Sequence, residues 1–428
     1  MIGMLLLLSI GSTSFAQDPV TLRMTGLTGP AGIGLQAAIE VWNANNPNIQ
    51  VEVEIQADEM NWQATAPSTM FAADDGPDLS WWWCSPTTQY KDMIAAGLLA
   101  PLDDLYEAGN WEAAYPKGTL DYFTEPDGHR YGVNIDVVWT PYVYYNKDIF
   151  AELGLEPPTT WEELYAIGKA VKEAGYIPLP MVYEMSMRSH LPDALMLRSW
   201  TEEEYNAFLV NSWPNAPEWS VEHKWTDPNG VRIFQTIKDM ADNGLFGDGF
   251  AGLTEYNEAK ALFTSGRAAM HQNGSWEGGS AGIGSVVDFD WGYFYYPFFE
   301  DSENYGPVGS WVPNCFIAFN RPNVEAAKQV IAFLASAEGL AIFCETSGLP
   351  PGRIDIAQES LDKILSPTTQ QMLADVAEMG APALYESAVP PQLLSTLKQA
   401  TDLMLTGSIT PEEAAEMMEK ETVKARQG

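Results

Sequence analysis

The chain predicts an α/β fold, and three observations carry that reading. Apolar strand patterns alternate with helical ones along the first hundred residues, which implies parallel strands joined by right-handed crossovers. Hydrophobic residues are 46 % of the 428 and charged residues only 19 %, enough to core two or three domains. No Pro/Ser linker, internal repeat or low-complexity tract divides the chain, which suits lobes that exchange strands rather than beads on a string.

Val20-Thr21-Leu22-Arg23-Met24 reads as the first strand, and a glycine-rich turn follows it (Gly26, Gly29, Gly32, Gly34). From Ile33 to Asn45 the spacing of Leu35, Ala38, Ile39 and Trp42 predicts one apolar helix face, stopped by Asn45-Asn46-Pro47. Ile49 to Ile55 alternates as a second strand, and Leu79 to Trp83, after Gly76-Pro77-Asp78, as a third. Val133 to Tyr145 is a long apolar, aromatic stretch suited to a strand crossing between lobes. Thr160-Trp161-Glu162-Glu163 has the form of a capping box that opens a helix through about Ala174. Further helices are expected over Arg232 to Asn243 and Thr254 to Ser265, and strands over Trp291 to Tyr296 and Cys315 to Asn320. From Asn323 onward the chain reads as mostly helical, broken at Pro350-Pro351 and Pro390-Pro391.

Twenty-two Lys and Arg against 58 Asp and Glu give a formal charge of −36. Such a surface is unsuited to nucleic-acid phosphate or anionic lipid. Cys84, Cys315 and Cys344 allow one bridge at most, so no disulfide framework is expected, and Cys84 reads most simply as a buried thiol or pocket wall. His129, His190, His223 and His271 lie far apart in no metal-ligand spacing, so neither a metal nor another cofactor is expected.

Met1 to Ala16 has the form of a cleaved export signal. A short apolar run, Met4 to Ile10, leads to Ser14-Phe15-Ala16, after which Gln17 would begin the mature chain. The run is too short to span a bilayer, although no Lys or Arg precedes it. No cysteine stands at the cleavage site to take a lipid, and no later segment reads as a membrane span, so the periplasm is the expected location.

Gly32-Ile33-Gly34-Leu35-Gln36-Ala37 fits G-x-G-x-x-A, with Glu54 20 residues after Gly34. The first strand ends well short of Gly32, however, so a turn offering backbone N–H groups is the better reading than a dinucleotide fingerprint. Aromatic residues are the stronger signal. Trp81-Trp82-Trp83 follows a strand pattern, where open α/β sheets place their ligand crevice. Trp139, Tyr142, Tyr183, Trp276 and Trp311 fall at chain breaks, several beside glycine, whereas Trp42, Trp161 and Trp225 fit packing positions. No Ser-His-Asp order, Cys/His pair or metal motif suggests catalysis.

Four stretches in this order resemble the extracellular solute-binding proteins (family 1) of ABC importers, the group that includes maltose-binding protein. They are Gly76-Pro77-Asp78; Tyr144 to Phe150 followed by Pro158 to Leu164; Phe263 to Met270 before Asn273-Gly274-Ser275-Trp276; and Ala326 to Leu334 followed by Ser336 to Gly339 and Gly348 to Arg353. The resemblance implies a two-lobed periplasmic-binding-protein fold (type II), each lobe a mainly parallel sheet flanked by helices and joined by hinge strands. It implies a signal peptide over 1–16, a first lobe over 17–135 that returns over 312–334, and a second lobe over 136–311 completed by the helices of 335–428.

Carried over residue by residue, the resemblance implies ligand contacts from Thr28 and Gly29 in the first loop and from Trp82 and Trp83 at the third strand's end. It adds Asp136 and Trp139 on the crossover, Tyr183 and Glu184 on the second lobe, Trp276 after Asn-Gly, Gly309 and Trp311 at a hinge, and Arg353 at the cleft edge. The implied activity is non-enzymatic capture of a sugar or sugar-like polyol by a monomer that delivers it to ABC permease subunits. The run Trp81 to Cys84 is more aromatic than the family pattern and the maltose-type basic residue of the first loop is missing, so long maltodextrins are not the expected ligand. Two other readings remain open at this level: the same fold caging a quaternary ammonium such as a betaine between aromatic faces, and a secreted glycoside hydrolase using two carboxylates.

Overall fold

The computed structural model describes residues 19–56, 75–84, 88–115, 123–136, 138–181, 183, 186–213, 216–253, 256–278, 282–300, 302, 310–312, 314–379, 382 and 384–427. The expected export signal, Glu184 and Gly309 lie outside these residues.

A five-stranded sheet in the order β2-β1-β3-β10-β4 organises the first lobe, from β1 (Val20–Leu27), β2 (Ile49–Gln56), β3 (Leu79–Trp83), β4 (Gly132–Asn134) and β10 (Asn314–Ala318). β1 pairs in parallel with β2 and β3, and β10 runs antiparallel between β3 and β4. The predicted apolar helix face is seen in the Gly29–Asn45 helix, where Leu35, Ala38, Ile39 and Trp42 are buried. Gly34 serves close packing rather than phosphate binding. A side chain there would lie 2.5 Å from the Phe343 carbonyl oxygen, so its absence lets this helix close on the Ala337–Ser347 helix.

The first core does not stop at Leu334, where the resemblance places the lobe boundary. Leu340, Phe343, Cys344, Leu349, Ile356 and Leu365 are all buried in it, because the Ala337–Ser347 helix packs along the Gly29–Asn45 helix. The return segment of the first lobe therefore extends about thirty residues further, and the crossing back to the second lobe comes later in the chain.

The expected single strand from Val133 to Tyr145 is three strands in three sheets. β4 belongs to the first sheet, β5 (Val138–Thr140) forms an antiparallel ribbon with β9 (Ser310–Val312), and β6 (Tyr142–Asn146) is the centre of a sheet with β7 (Met270–Asn273) and β8 (Trp291–Phe294). Pro141, with no N–H to give a ladder, stands at the second break. β7 and β8 are both antiparallel to β6, so the described strands of the second lobe are not the mainly parallel sheet that was expected.

Helices supply most of the second core: Phe150, Trp161, Leu195, Trp225, Phe234 and Leu397 are buried together. The capping box at Thr160 is complete, its hydroxyl accepting from Glu163 N while the Glu163 carboxylate accepts from Thr160 N. A third apolar cluster contains Trp82, Tyr90 and Phe123 of the first lobe with Tyr142, Tyr144 and Phe263 of the second. No single described helix is long and apolar enough to cross a membrane.

Candidate functional site

The candidate site begins at the carboxyl ends of β1 and β3. β1 is pinned beside β3 by the Gly76-Pro77-Asp78 turn, where Asp78 accepts from Arg23 N at 2.9 Å and donates its own N–H to Arg23 O at 2.8 Å. Thr25 and Ser80 add a buried hydroxyl pair at 2.6 Å. At the end of β1, exposed Thr28 makes no capping bond to its helix, and exposed Gly29 opens that helix at φ 71°. Both stand where the sequence expects backbone N–H groups to be offered.

Strand alternation separates the three consecutive tryptophans. Trp81 is buried in the first core and Trp83 is half-buried against it, with their rings edge-on at 5.9 Å. Trp82 points to the opposite face, is 1 % exposed and packs in the cluster shared by the two lobes. Next to it, Cys84 is not the free thiol expected: it is disulfide-bonded to Cys315 across 231 residues, with Cα atoms 6.0 Å apart. The bridge fills the space over Gly132, where a side chain would come 2.7 Å from Cys84 Sγ. Cys344 is the one free cysteine and is buried.

From the second lobe, Trp276 reaches the first. It is half-buried and packs against the first core, at whose margin Trp83 also lies. The turn that carries it is firmly held. Tyr144 donates its hydroxyl to Gly274 O at 2.8 Å, Asn273 Oδ1 accepts from Gly274 N at 2.9 Å, and Lys260 pairs with Glu277 at 2.7 Å. The indole ring covers Gly274 so closely that no side chain fits there.

Beside Trp276 stands a group that sequence reasoning missed. His190 lies edge-on to the Trp276 ring at 6.4 Å, its Nε2 3.9 Å from Glu386, and Ser189 donates to Glu386 at 2.5 Å. Ser189 and His190 belong to a single π-helical turn, Ser186–His190, a distortion common at functional sites. No local motif announces a Ser189–Glu386 contact, since 197 residues separate the two. A second contact across the seam joins Lys91 of the first lobe to Trp213 of the second, with Nζ 4.2 Å from the ring centroid. Trp213 is fixed by its Nε1 donating to Ala388 O at 2.8 Å, and desolvation pulls the Lys91 pKa down against the attraction of Glu125.

Other expected contacts are engaged elsewhere. Tyr183 docks on the Pro391–Leu405 helix, its hydroxyl donating to Asp402 at 2.6 Å and its ring lying under Lys398. Arg353 is buried, forms a two-pronged pair with Asp355 at 2.8 and 2.7 Å, and donates to Ala335 O at 3.0 Å, so its guanidinium faces the first lobe rather than the cleft edge. Trp139 and Trp311 are direct backbone partners in the β5–β9 ribbon. Asp136 is fully buried between β4 and β5, accepts from Asn314 Nδ2 at 2.8 Å, and is raised by burial to a pKa of about 7. Among the described residues no group of three or more His, Cys, Asp or Glu is arranged to hold a metal.

The chain matches the model of the bacterial extracellular solute-binding proteins over residues 28–341. The sn-glycerol-3-phosphate-binding periplasmic protein UgpB of Brucella melitensis is 28 % identical over 289 residues, 63 % of this chain and 60 % of that protein. The chain thus aligns with about three-fifths of the length of such curated relatives. A solved chitin oligosaccharide binding protein superposes at a TM-score of 0.79 with 22 % identity, covering 96 % of this chain and 100 % of the other. The Listeria monocytogenes substrate-binding protein Lmo0181, solved in complex with cycloalternan, does so at 0.73 with 19 % identity, over 95 % and 99 %. Those structures share the two-lobed α/β fold described above. With its family match spanning most of the sequence, this chain belongs to the bacterial extracellular solute-binding proteins.

Proposed function

We propose that this protein is the substrate-binding component of an ABC importer, which captures a sugar or sugar-like polyol between its lobes in the periplasm and delivers it to the permease. The observation that carries the reading is that Trp276, from the second lobe, packs half-buried against the first core, on which Trp83 is also half-buried. Indole faces stack on the C–H faces of sugar rings, and the polar groups around them take the hydroxyls. In this reading Trp83, Trp276, Thr28 and the Gly29 N–H line the site, with Ser189, His190 and Glu386 orienting hydroxyls from the second lobe. Asp136 and Arg353 act behind the surface, and Tyr183 serves the helical scaffold.

The mechanism needs no bond chemistry. A ligand touching both lobes prefers the closed form and shifts the open–closed equilibrium by that preference. The permease then reads the closed form. The protein works as a monomer after its leader is removed behind Ala16.

A thermal-shift screen of the chain from Gln17 tests the proposal, with mono- and disaccharides, xylo- and chito-oligosaccharides, polyols, betaines and sn-glycerol 3-phosphate in the panel. Ligand at a hundred times its Kd stabilises by about 2.7 kcal/mol, a readable shift in melting temperature. Stabilisation by one class of sugar or polyol is the expected result. A response to betaines alone would turn the aromatic pair into a cation cage, and a response to sn-glycerol 3-phosphate alone would make the ligand an anion; either overturns the sugar reading.

A further inference from the structure

Buried polar atoms without a partner are rare, and each asks for an explanation. Four of them fall together where the chain passes between lobes. Asp136 stands between β4 and β5, and Asn314 opens β10 just beyond β9, so both crossings meet at this point. The Asn314 Nδ2 bond to Asp136 Oδ1 ties one crossing to the other. Asp136 Oδ2, Asn314 Oδ1 and both polar side-chain atoms of Asn134 are buried with no partner. A turn of the first lobe covers them: Pro351 bridges Asp136, and Gly352 N donates to Ile135 O at 2.9 Å. Gly352 has room for no more, because a side chain there would come 2.6 Å from Asn134 Nδ2.

We propose that this cluster is a proton-linked hinge: lobe closure seals Asp136 in its neutral form, and lobe opening admits water that ionises it. The proposal rests on the reading above only in requiring the lobes to part.

Several features support it. Burial raises the carboxyl to a pKa of about 7 even though the Asn314 bond and a backbone N–H act in the opposite direction. Neutral Asp136 still accepts from Asn314 and gains an O–H donor, in a neighbourhood where two Asn carbonyl oxygens lack one. Ionised Asp136 would place a full charge there against few donors. The facing groups bring no counter-charge. On the Ala337–Ser347 helix Cys344 is a buried thiol, pushed up by burial and by Asp136 itself. Tyr115, its hydroxyl held by the Asn134 carbonyl at 2.9 Å, is pushed up by burial. Arg353, on the covering turn, is committed to Asp355 and Ala335 O. β3 contributes Trp83 opposite Asn314, and an indole does not titrate.

The sign follows from linkage. Asp136 has its ordinary carboxylate pKa when hydrated and about 7 when sealed, so closure takes up a proton between about pH 4 and 7. The closed-to-open ratio then falls as pH rises, by up to about tenfold per pH unit, and levels off above 7.

The test uses the ligand-free mature chain. Small-angle scattering from pH 4.5 to 8.5 reads lobe separation, and melting temperature is followed over the same range. The wild type is expected to be compact at pH 5 and to expand towards pH 7, whereas Asp136→Asn, which imitates the neutral acid, stays compact throughout. Asp136→Asn should also gain melting temperature over the wild type as pH rises from 4 to 7. Should that variant fail to fold, the wild type still decides by itself, since its radius must grow over the same pH range in which a protonated carboxyl band disappears from its infrared spectrum, and a band lost with no change in radius overturns the hinge. A wild type whose radius does not change with pH, or an Asp136→Asn radius that follows the wild-type curve, would overturn the hinge. A variant that gains stability at high pH with no change in radius would place Asp136 in a site sealed in both forms, which overturns it equally. No sugar enters the experiment, so its failure leaves the ligand assignment standing.

Discussion

In the second lobe Asp193 is wholly buried, and it accepts the Tyr205 hydroxyl at 2.5 Å and the Tyr385 N–H at 3.0 Å. At the lobe crossing Asp136 is buried as deeply, yet accepts one side-chain bond and leaves its second oxygen without a partner. Arg198, close to Asp193 in sequence, likewise donates to Tyr296 O at 2.7 Å and lies over the Phe298 ring. A buried carboxyl held by bonds from two distant elements locks them together, because any movement strands both donors at once. A buried acid with unmet bonds gains when water arrives. The difference separates scaffold from hinge: the second-lobe interior is built to stay shut and the crossing is built to open.

The largest expected effect breaks the scaffold side. Asp193→Ala strands the Tyr205 hydroxyl and the Tyr385 N–H, and should cost about 3–5 kcal/mol in denaturant unfolding. A loss below about 1 kcal/mol would remove the distinction between the two buried acids.

Next comes the root of the hinge. Cys84→Ser together with Cys315→Ser removes the bridge that fastens β10 to the end of β3, immediately after Asn314. About 2–4 kcal/mol of stability should go with it, with ligand affinity changed only a few-fold, because the bond faces the interior. Affinity abolished while the fold persists would mean that the bridge shapes the site directly.

Trp276→Ala probes the seam. With the indole half-buried at a lobe junction, ligand binding should weaken more than tenfold while melting temperature changes little. The opposite pattern, intact affinity with a large fall in melting temperature, would return Trp276 to the core. The smallest effect is expected from Trp213→Leu, which removes the Lys91 contact between lobes. Between two half-buried side chains the contact is worth about 1 kcal/mol, so the closed form should lose about fivefold in population, read as a matching loss of ligand affinity.

Much of the scaffold was legible in the sequence. The face of Leu35, Ala38, Ile39 and Trp42, the Thr160 capping box and the strand after Gly76-Pro77-Asp78 all depend on neighbours two to four residues away, and the chain itself supplies those. The site was legible only in part. Trp276 and Trp83 stand at turns that sequence marks with glycine or a strand end, and both lie half-buried against the first core. Ser189, His190 and Glu386 carried no local mark, and Tyr183 and Arg353 were drawn away by Asp402 and Asp355.

By itself, then, the sequence determined the longer amphipathic helices and the first three strands, because backbone hydrogen bonding and apolar periodicity are settled within one or two turns of chain. Three things were decided only when distant segments met. One was which face each tryptophan of Trp81 to Trp83 takes, since alternation sets them opposite but only the packed sheet says which side is core. Another was the partner of Cys84, 231 residues away. The third was the condition of Asp136, an ordinary carboxyl in the chain whose pKa is raised to about 7 only where two crossings and a covering turn bury it.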